Sequence, residues 1–156
     1  MKKVSFLAGR WEGTEWVLMQ DGRRQTCESS DLAEARLNGT VFLFQGTVKV
    51  KTSPETDPIV VYEGIGVLSY DVSTQHYRLL HFGTDGSYED YECRLAGKTL
   101  HCERRDKENV LVRVTLGVDD AGRWIEGGEQ SQDGKNWRET FGTQMSKVAA
   151  GPGGGQ

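Results

Sequence analysis

The chain has 156 residues, 36% hydrophobic and 27% charged, the make-up of one globular domain with a core of useful size. Its formal net charge of -4 at pH 7 argues against a nucleic-acid or anionic-membrane partner, because both need clustered Lys and Arg to displace counterions. Three cysteines, with no CxxC or Cys/His spacing of a zinc site, suit free thiols in a reducing compartment.

No stretch reaches the ~20 apolar residues of a membrane span, and the apolar N-terminus stops at Arg10, short of a signal-peptide core. The expected location is therefore cytoplasmic. Twenty glycines, three prolines and the lack of a 3.6-period apolar stripe disfavour helices, whereas short β-branched and aromatic runs alternate with turn dipeptides. Ten strands are expected, with no internal repeat.

The first strand, Trp11 to Met19, sets Glu15 on one face with Trp11 and Val17. The second runs from Gln25 to Leu37, and an Asn38-Gly39 turn leads into the third, Thr40 to Lys51, where Phe42, Phe44, Val48 and Val50 alternate toward one face. In the fourth, Ile59 to Tyr70, Glu63 interrupts the apolar face of Ile59, Val61, Ile65 and Val67. The fifth and sixth, Tyr77 to Thr84 and Ser87 to Leu95, flank Asp85-Gly86. As a two-residue loop, that turn puts Gly83 opposite Tyr88 and His81 opposite Asp90, with Leu80, Phe82, Tyr91, Cys93 and Leu95 on the core face. His81 and Asp90 then form an exposed cross-strand pair, and no nucleophile beside them completes a triad.

The seventh strand is Thr99 to Arg105. A Gly97-Lys98 turn sets Leu95 opposite Leu100 and Cys93 opposite Cys102, an Ala96-Gly97 turn shifts the pairing diagonally, and both keep the two buried thiols on one face. The last three strands are Val110 to Val118, Arg123 to Ser131 and Trp137 to Lys147. A two-residue Asp133-Gly134 loop pairs Glu129 with Arg138 and turns Trp124, Glu126, Gly128, Trp137, Glu139, Phe141 and Met145 inward. Asp133 also caps its own loop. Residues 1–148 form the domain and 149–156, ending in "GPGGGQ", a flexible tail.

Meander connectivity without a crossover helix points to an all-β fold, a single closed up-and-down antiparallel barrel, since closure removes exposed edges. With about ten strands the interior is wider than side chains fill, so a cavity follows. Glu126 and Glu139 become diagonal neighbours on its wall, able to raise each other's pKa, with Glu15 and Glu63 entering the same space. The other reading sets these acids at the barrel mouth, or outside it where a bulge swaps a strand's faces.

"LAGRW" resembles the Gly-x-Trp opening of lipocalins and the wider calycin superfamily. With "LNGTVFLFQGTV", "YEGIGVLSYD", "YRLLHFGTDG" and "SQDGKNW", the stretch from about Leu7 to Val148 is similar to a family of bacterial lipocalin-like barrels, a domain of unknown function. The resemblance implies that Trp11 plugs one barrel end, that Gly9 and Trp11 take the Gly-x-Trp positions, and that Arg138 covers the tryptophan. Nitrobindin-like haem barrels share the ten-stranded fold but hold iron through a late histidine. His76, His81 and His101 all precede the last three strands, so no cofactor and no metal site is expected. The helical lid of fatty-acid-binding proteins also has no counterpart.

The functional expectation is a non-enzymatic protein that binds a small hydrophobic or amphipathic molecule inside the barrel. Its cavity candidates are Trp11, Glu15, Phe42, Phe44, Glu63, Tyr91, Trp124, Glu126, Glu139 and Phe141. The alternative is an isomerase, lyase or hydrolase using the inward glutamates as acid and base. A third reading is a module that forms a homodimer through its outer sheet face.

Overall fold

The computed structural model describes residues 1–149. Ten antiparallel strands follow one another in meander order: β1 (Gly9–Leu18), β2 (Arg24–Arg36), β3 (Val41–Val50), β4 (Ile59–Asp71), β5 (His76–Gly83), β6 (Tyr88–Ala96), β7 (Thr99–Arg105), β8 (Leu111–Val118), β9 (Trp124–Ser131) and β10 (Arg138–Val148). Pairing of β1 with β10 closes the sheet into a barrel, leaving no free edge. All ten expected strands are present. The expected tail, beyond Ala149, lies outside the described residues. Among the described residues no helix is long and apolar enough to cross a membrane.

One loop type recurs among the hairpins. The β1–β2, β5–β6 and β8–β9 connections share a three-residue loop ending in glycine at positive φ, at Gly22, Gly86 and Gly122. This is a type I turn followed by a left-handed bulge residue. In the β5–β6 loop the Gly83 N–H bonds the Ser87 carbonyl and the Gly86 N–H bonds the Gly83 carbonyl. The loop is therefore one residue longer than an Asp85-Gly86 turn, and one residue of slip exchanges the two faces of a strand. Phe82 pairs with Tyr88 and His81 with Glu89. His81 points inward, Phe82 is exposed, and Asp90 pairs outside with Arg78.

The β9–β10 connection departs from expectation in the same way. Asp133 accepts backbone N–H bonds from Lys135 and Asn136, so the chain wraps its carboxylate instead of closing a two-residue loop. Those donors hold its carboxyl well below the usual carboxylate range. Arg138 pairs with Gln130 and Glu139 with Glu129, after which a bulge at Thr140 brings Phe141 opposite Gly128. The bulge resets the faces: Phe141, Thr143 and Met145 turn inward, while Glu139 stands outside in an ion pair with Arg24 at 2.6 Å. Trp137 is likewise outside, beneath the Arg113 guanidinium.

At the end of the barrel where β1 begins, the 3-10 segment Lys2–Leu7 folds across the opening and buries Val4 and Leu7 completely. Trp11 locks that plug, its indole N–H donating to the Leu7 carbonyl at 2.9 Å. Gly9 adopts φ +132°, and a Cβ there would strike the Lys147 side chain. Lys147, paired with Trp11 across β1 and β10, places its ammonium 5.3 Å from the indole centroid. The covering cation is thus Lys147 and not Arg138, which the Asp133 loop leaves at the opposite rim.

Above the plug, Phe42, Leu68, Tyr77, Leu100 and Met145 fill the lower barrel. The Gly97-Lys98 alternative holds: Leu95 faces Leu100 and Cys93 faces Cys102. The two sulfurs form a disulfide, which corrects the expectation of free thiols; only Cys27 is free. Register alone brings these buried thiols directly opposite one another.

Candidate functional site

The upper barrel encloses a cavity of about 550 Å³, inside the range of small-molecule sites. Its size follows from glycine. Gly46, Gly64 and Gly66 sit at inward positions of β3 and β4, where any side chain would project into the interior. Phe44, Trp124 and Leu116 form the floor, and Val48, Val50, Val61, Leu79 and Val114 the apolar walls. Trp124 packs on Trp11 below it, ring centroids 5.5 Å apart, so the floor rests on the plug.

Three carboxylates enter from one side. Glu15 of β1, Thr143 of β10 and Glu126 of β9 lie in one cross-strand row, and Thr143 donates its hydroxyl to Glu15 at 3.0 Å. Glu126 accepts from the Trp124 indole at 3.2 Å. Asp31 of β2 leans over Gly46, where a Cβ would lie 2.9 Å from its Oδ1. No Lys or Arg among the described residues lines the cavity. Among the described residues none of these three acids forms an ion pair.

The electrostatic consequence is large. Burial, with the charge of Asp31 adding to it, pushes the Glu126 carboxyl up to about 8. Burial and Glu15 push Asp31 up to about 7. Glu15 is also raised by burial, against the lowering effect of its Thr143 hydrogen bond. Near neutral pH the wall therefore holds its acids as a mixture of protonated and ionised groups, able to donate as well as accept hydrogen bonds.

The opposite side carries a paired network. His81 Nδ1 lies 3.4 Å from Glu89 Oε2, and its Nε2 lies 3.5 Å from the Tyr62 hydroxyl. Arg104 binds Glu89 and packs over the Tyr91 ring. His81 foremost, with Arg104, holds Glu89 below the ordinary carboxylate range. Burial pushes the Tyr91 phenol up to about 12. The His81 ring lies over Gly64, where a Cβ would come within 2.7 Å of Nε2, and Gly64 is the direct partner of Gly46. Asp31 and His81 thus stand at the two ends of a bare two-glycine strip of wall.

Of the residues expected from sequence, Glu15, Phe44, Tyr91, Trp124, Glu126 and Phe141 line the cavity. Trp11 and Phe42 are buried beneath it. Glu63 and Glu139 are outside, which removes the Glu126–Glu139 pair: the Thr140 bulge turns Glu139 away, and β4 faces the cavity with Tyr62, Gly64 and Gly66. The face of Ile59 and Ile65 is accordingly exposed. Sequence reasoning missed Asp31, Tyr62, His81, Glu89 and Arg104. His81 and Glu89 depended on one residue of loop length, and Asp31 sits in a strand polar on both faces, where only its glycine partner on β3 marks the direction.

No protein-family model matches the chain, and no curated protein matches it.

Proposed function

We propose that this protein is a lipocalin-like member of the calycin superfamily that binds a small amphipathic molecule inside its barrel without transforming it. The observation that carries this reading is the cavity of about 550 Å³, apolar over most of its wall, with the deep acids Asp31 and Glu126 and no cation among its lining residues. A buried acid without a cationic partner costs free energy that tighter packing would avoid, so an interior kept open around two of them suits occupancy. The neutral dye N-phenyl-1-naphthylamine tests it. Saturable fluorescence enhancement is expected, and Val48→Trp, which fills the cavity, abolishes it in a folded variant. Absence of saturable enhancement contradicts the reading.

An acid–base enzyme is the second reading, and one observation favours it: His81, set between Glu89 and Tyr62, faces Asp31 along the Gly46–Gly64 strip. Native mass spectrometry of the protein from its own host separates the two. A ligand released on unfolding and recovered unchanged after re-addition supports binding, and recovery of an altered molecule supports catalysis. A homodimer would form on the outer row of Ile65, Phe82 and Tyr88, which are exposed neighbours across β4, β5 and β6. A monomer in sedimentation at high concentration contradicts it.

A further inference from the structure

Resting on the binding reading, we infer that the ligand carries a protonated amine, seated against Asp31, Glu126 and Glu15, on an apolar body that fills the rest of the cavity. The inference begins with what the cavity lacks. Among the described residues no Lys or Arg belongs to its lining, and its basic group, His81, stands on the far side against Glu89. Glu89 is already matched in charge by Arg104, although His81 Nδ1 and Arg104 Nε are buried there without a hydrogen-bond partner among the described residues. The acid side has no such match.

Each acid has hydrogen-bonding capacity left over. Glu126 has one donor, the Trp124 indole, and Glu15 has one, the Thr143 hydroxyl. Asp31 lies deep in the barrel with its Oδ1 over Gly46, where the bare backbone leaves room beside it. An ionised carboxylate accepts up to about four hydrogen bonds. An alkylammonium offers three donors and a compact charge, which answers this arrangement. A metal ion does not, since no three His, Cys, Asp or Glu side chains among the described residues are placed to hold one. An anion meets three acids, and a neutral hydroxyl leaves uncompensated whichever of them is ionised. Val48, Val61, Leu79 and Val114 line the remainder and take an apolar chain or ring.

Three probes sharing one body and differing in the head test this: 2-phenylethylamine, 2-phenylethanol and phenylacetate, each competed against N-phenyl-1-naphthylamine at pH 8. The amine is expected to displace the dye at a concentration at least about tenfold below the alcohol, the scale of a hydrogen bond to a charged group, with phenylacetate weakest. In Asp31→Asn combined with Glu126→Gln, the amine advantage, read as the ratio of amine to alcohol affinity by calorimetry, is expected to fall to about twofold or less. An alcohol equal to or better than the amine in the unmodified protein overturns the inference and needs no variant. An amine preference that survives the double substitution also overturns it. Failure of the dye itself to bind removes the binding reading, a different result from either.

Discussion

At the scale of single residues, Glu126 and Asp31 set the chemistry of the interior. Their folded pKa values, about 8 and about 7, lie above the ordinary carboxylate range because burial disfavours ionisation, with the charge of Asp31 adding to it at Glu126 and that of Glu15 at Asp31. A group raised in this way lets the folded state bind more protons than the unfolded one. Its stability contribution is fully present below the unfolded value near ~4 and is lost as pH rises through the folded value. Urea denaturation of the empty protein should therefore show stability falling between about pH 4 and pH 8. Glu126→Gln, which keeps an acceptor for the Trp124 indole, should stabilise the protein at pH 8 by roughly 1–3 kcal/mol and change little at pH 4. Equal effects at both pH values contradict a buried ionisable Glu126. Gly9 is the second decisive residue: Gly9→Ala adds a Cβ at φ +132° against Lys147, and a loss of at least about 1 kcal/mol is expected in the same assay.

At the scale of elements, the order and span of all ten strands were legible in the sequence, and what failed was register. Turn dipeptides announce where a hairpin lies, but Asp85-Gly86 and Asp133-Gly134 do not disclose whether two residues or more complete the loop. In β5 the difference is one residue, and it moved His81 from an expected surface pair into the cavity. In β10 the Thr140 bulge split Glu139 from Phe141, although plain alternation sets both on one face. Gly97-Lys98 behaved as a two-residue turn, so of the two pairings left open in the sequence the one that faces Leu95 with Leu100 holds. The N-terminal 3-10 plug was invisible because six residues are too few for a periodic signal. The β6–β7 pairing carries its own test: alkylation of the unfolded, unreduced chain should modify Cys27 alone, and after reduction all three cysteines. Modification of Cys93 or Cys102 without reduction contradicts the disulfide.

At the scale of the whole molecule, the barrel divides into a packed lower half and an open upper half. Trp11, its Lys147 cover and the Lys2–Leu7 segment seal the lower end, and Trp124 resting on Trp11 turns that seal into the cavity floor. Trp11→Ala should cost about 3–5 kcal/mol of stability and weaken dye binding through the floor it supports. On the proposed binding reading, occupancy of the upper half is linked to protons. The groups facing the acids are Glu15 and Cys27 on β1 and β2, Tyr62 and His81 on β4 and β5, and Glu89 and Tyr91 on β6, with Arg104 of β7 behind Glu89. None of the lining groups is a permanent cation, so an ammonium ligand must draw Asp31 and Glu126 into their ionised forms. Affinity for 2-phenylethylamine should accordingly rise from pH 5 to pH 8, each released proton passing to solvent. The most direct measurement is a carboxyl-carbon NMR titration of Asp31 and Glu126 in the empty barrel and with 2-phenylethylamine bound. Midpoints near 7 and 8 when empty, both falling by about a unit or more on binding, are the predicted result. Midpoints near ~4 in both states would contradict the account.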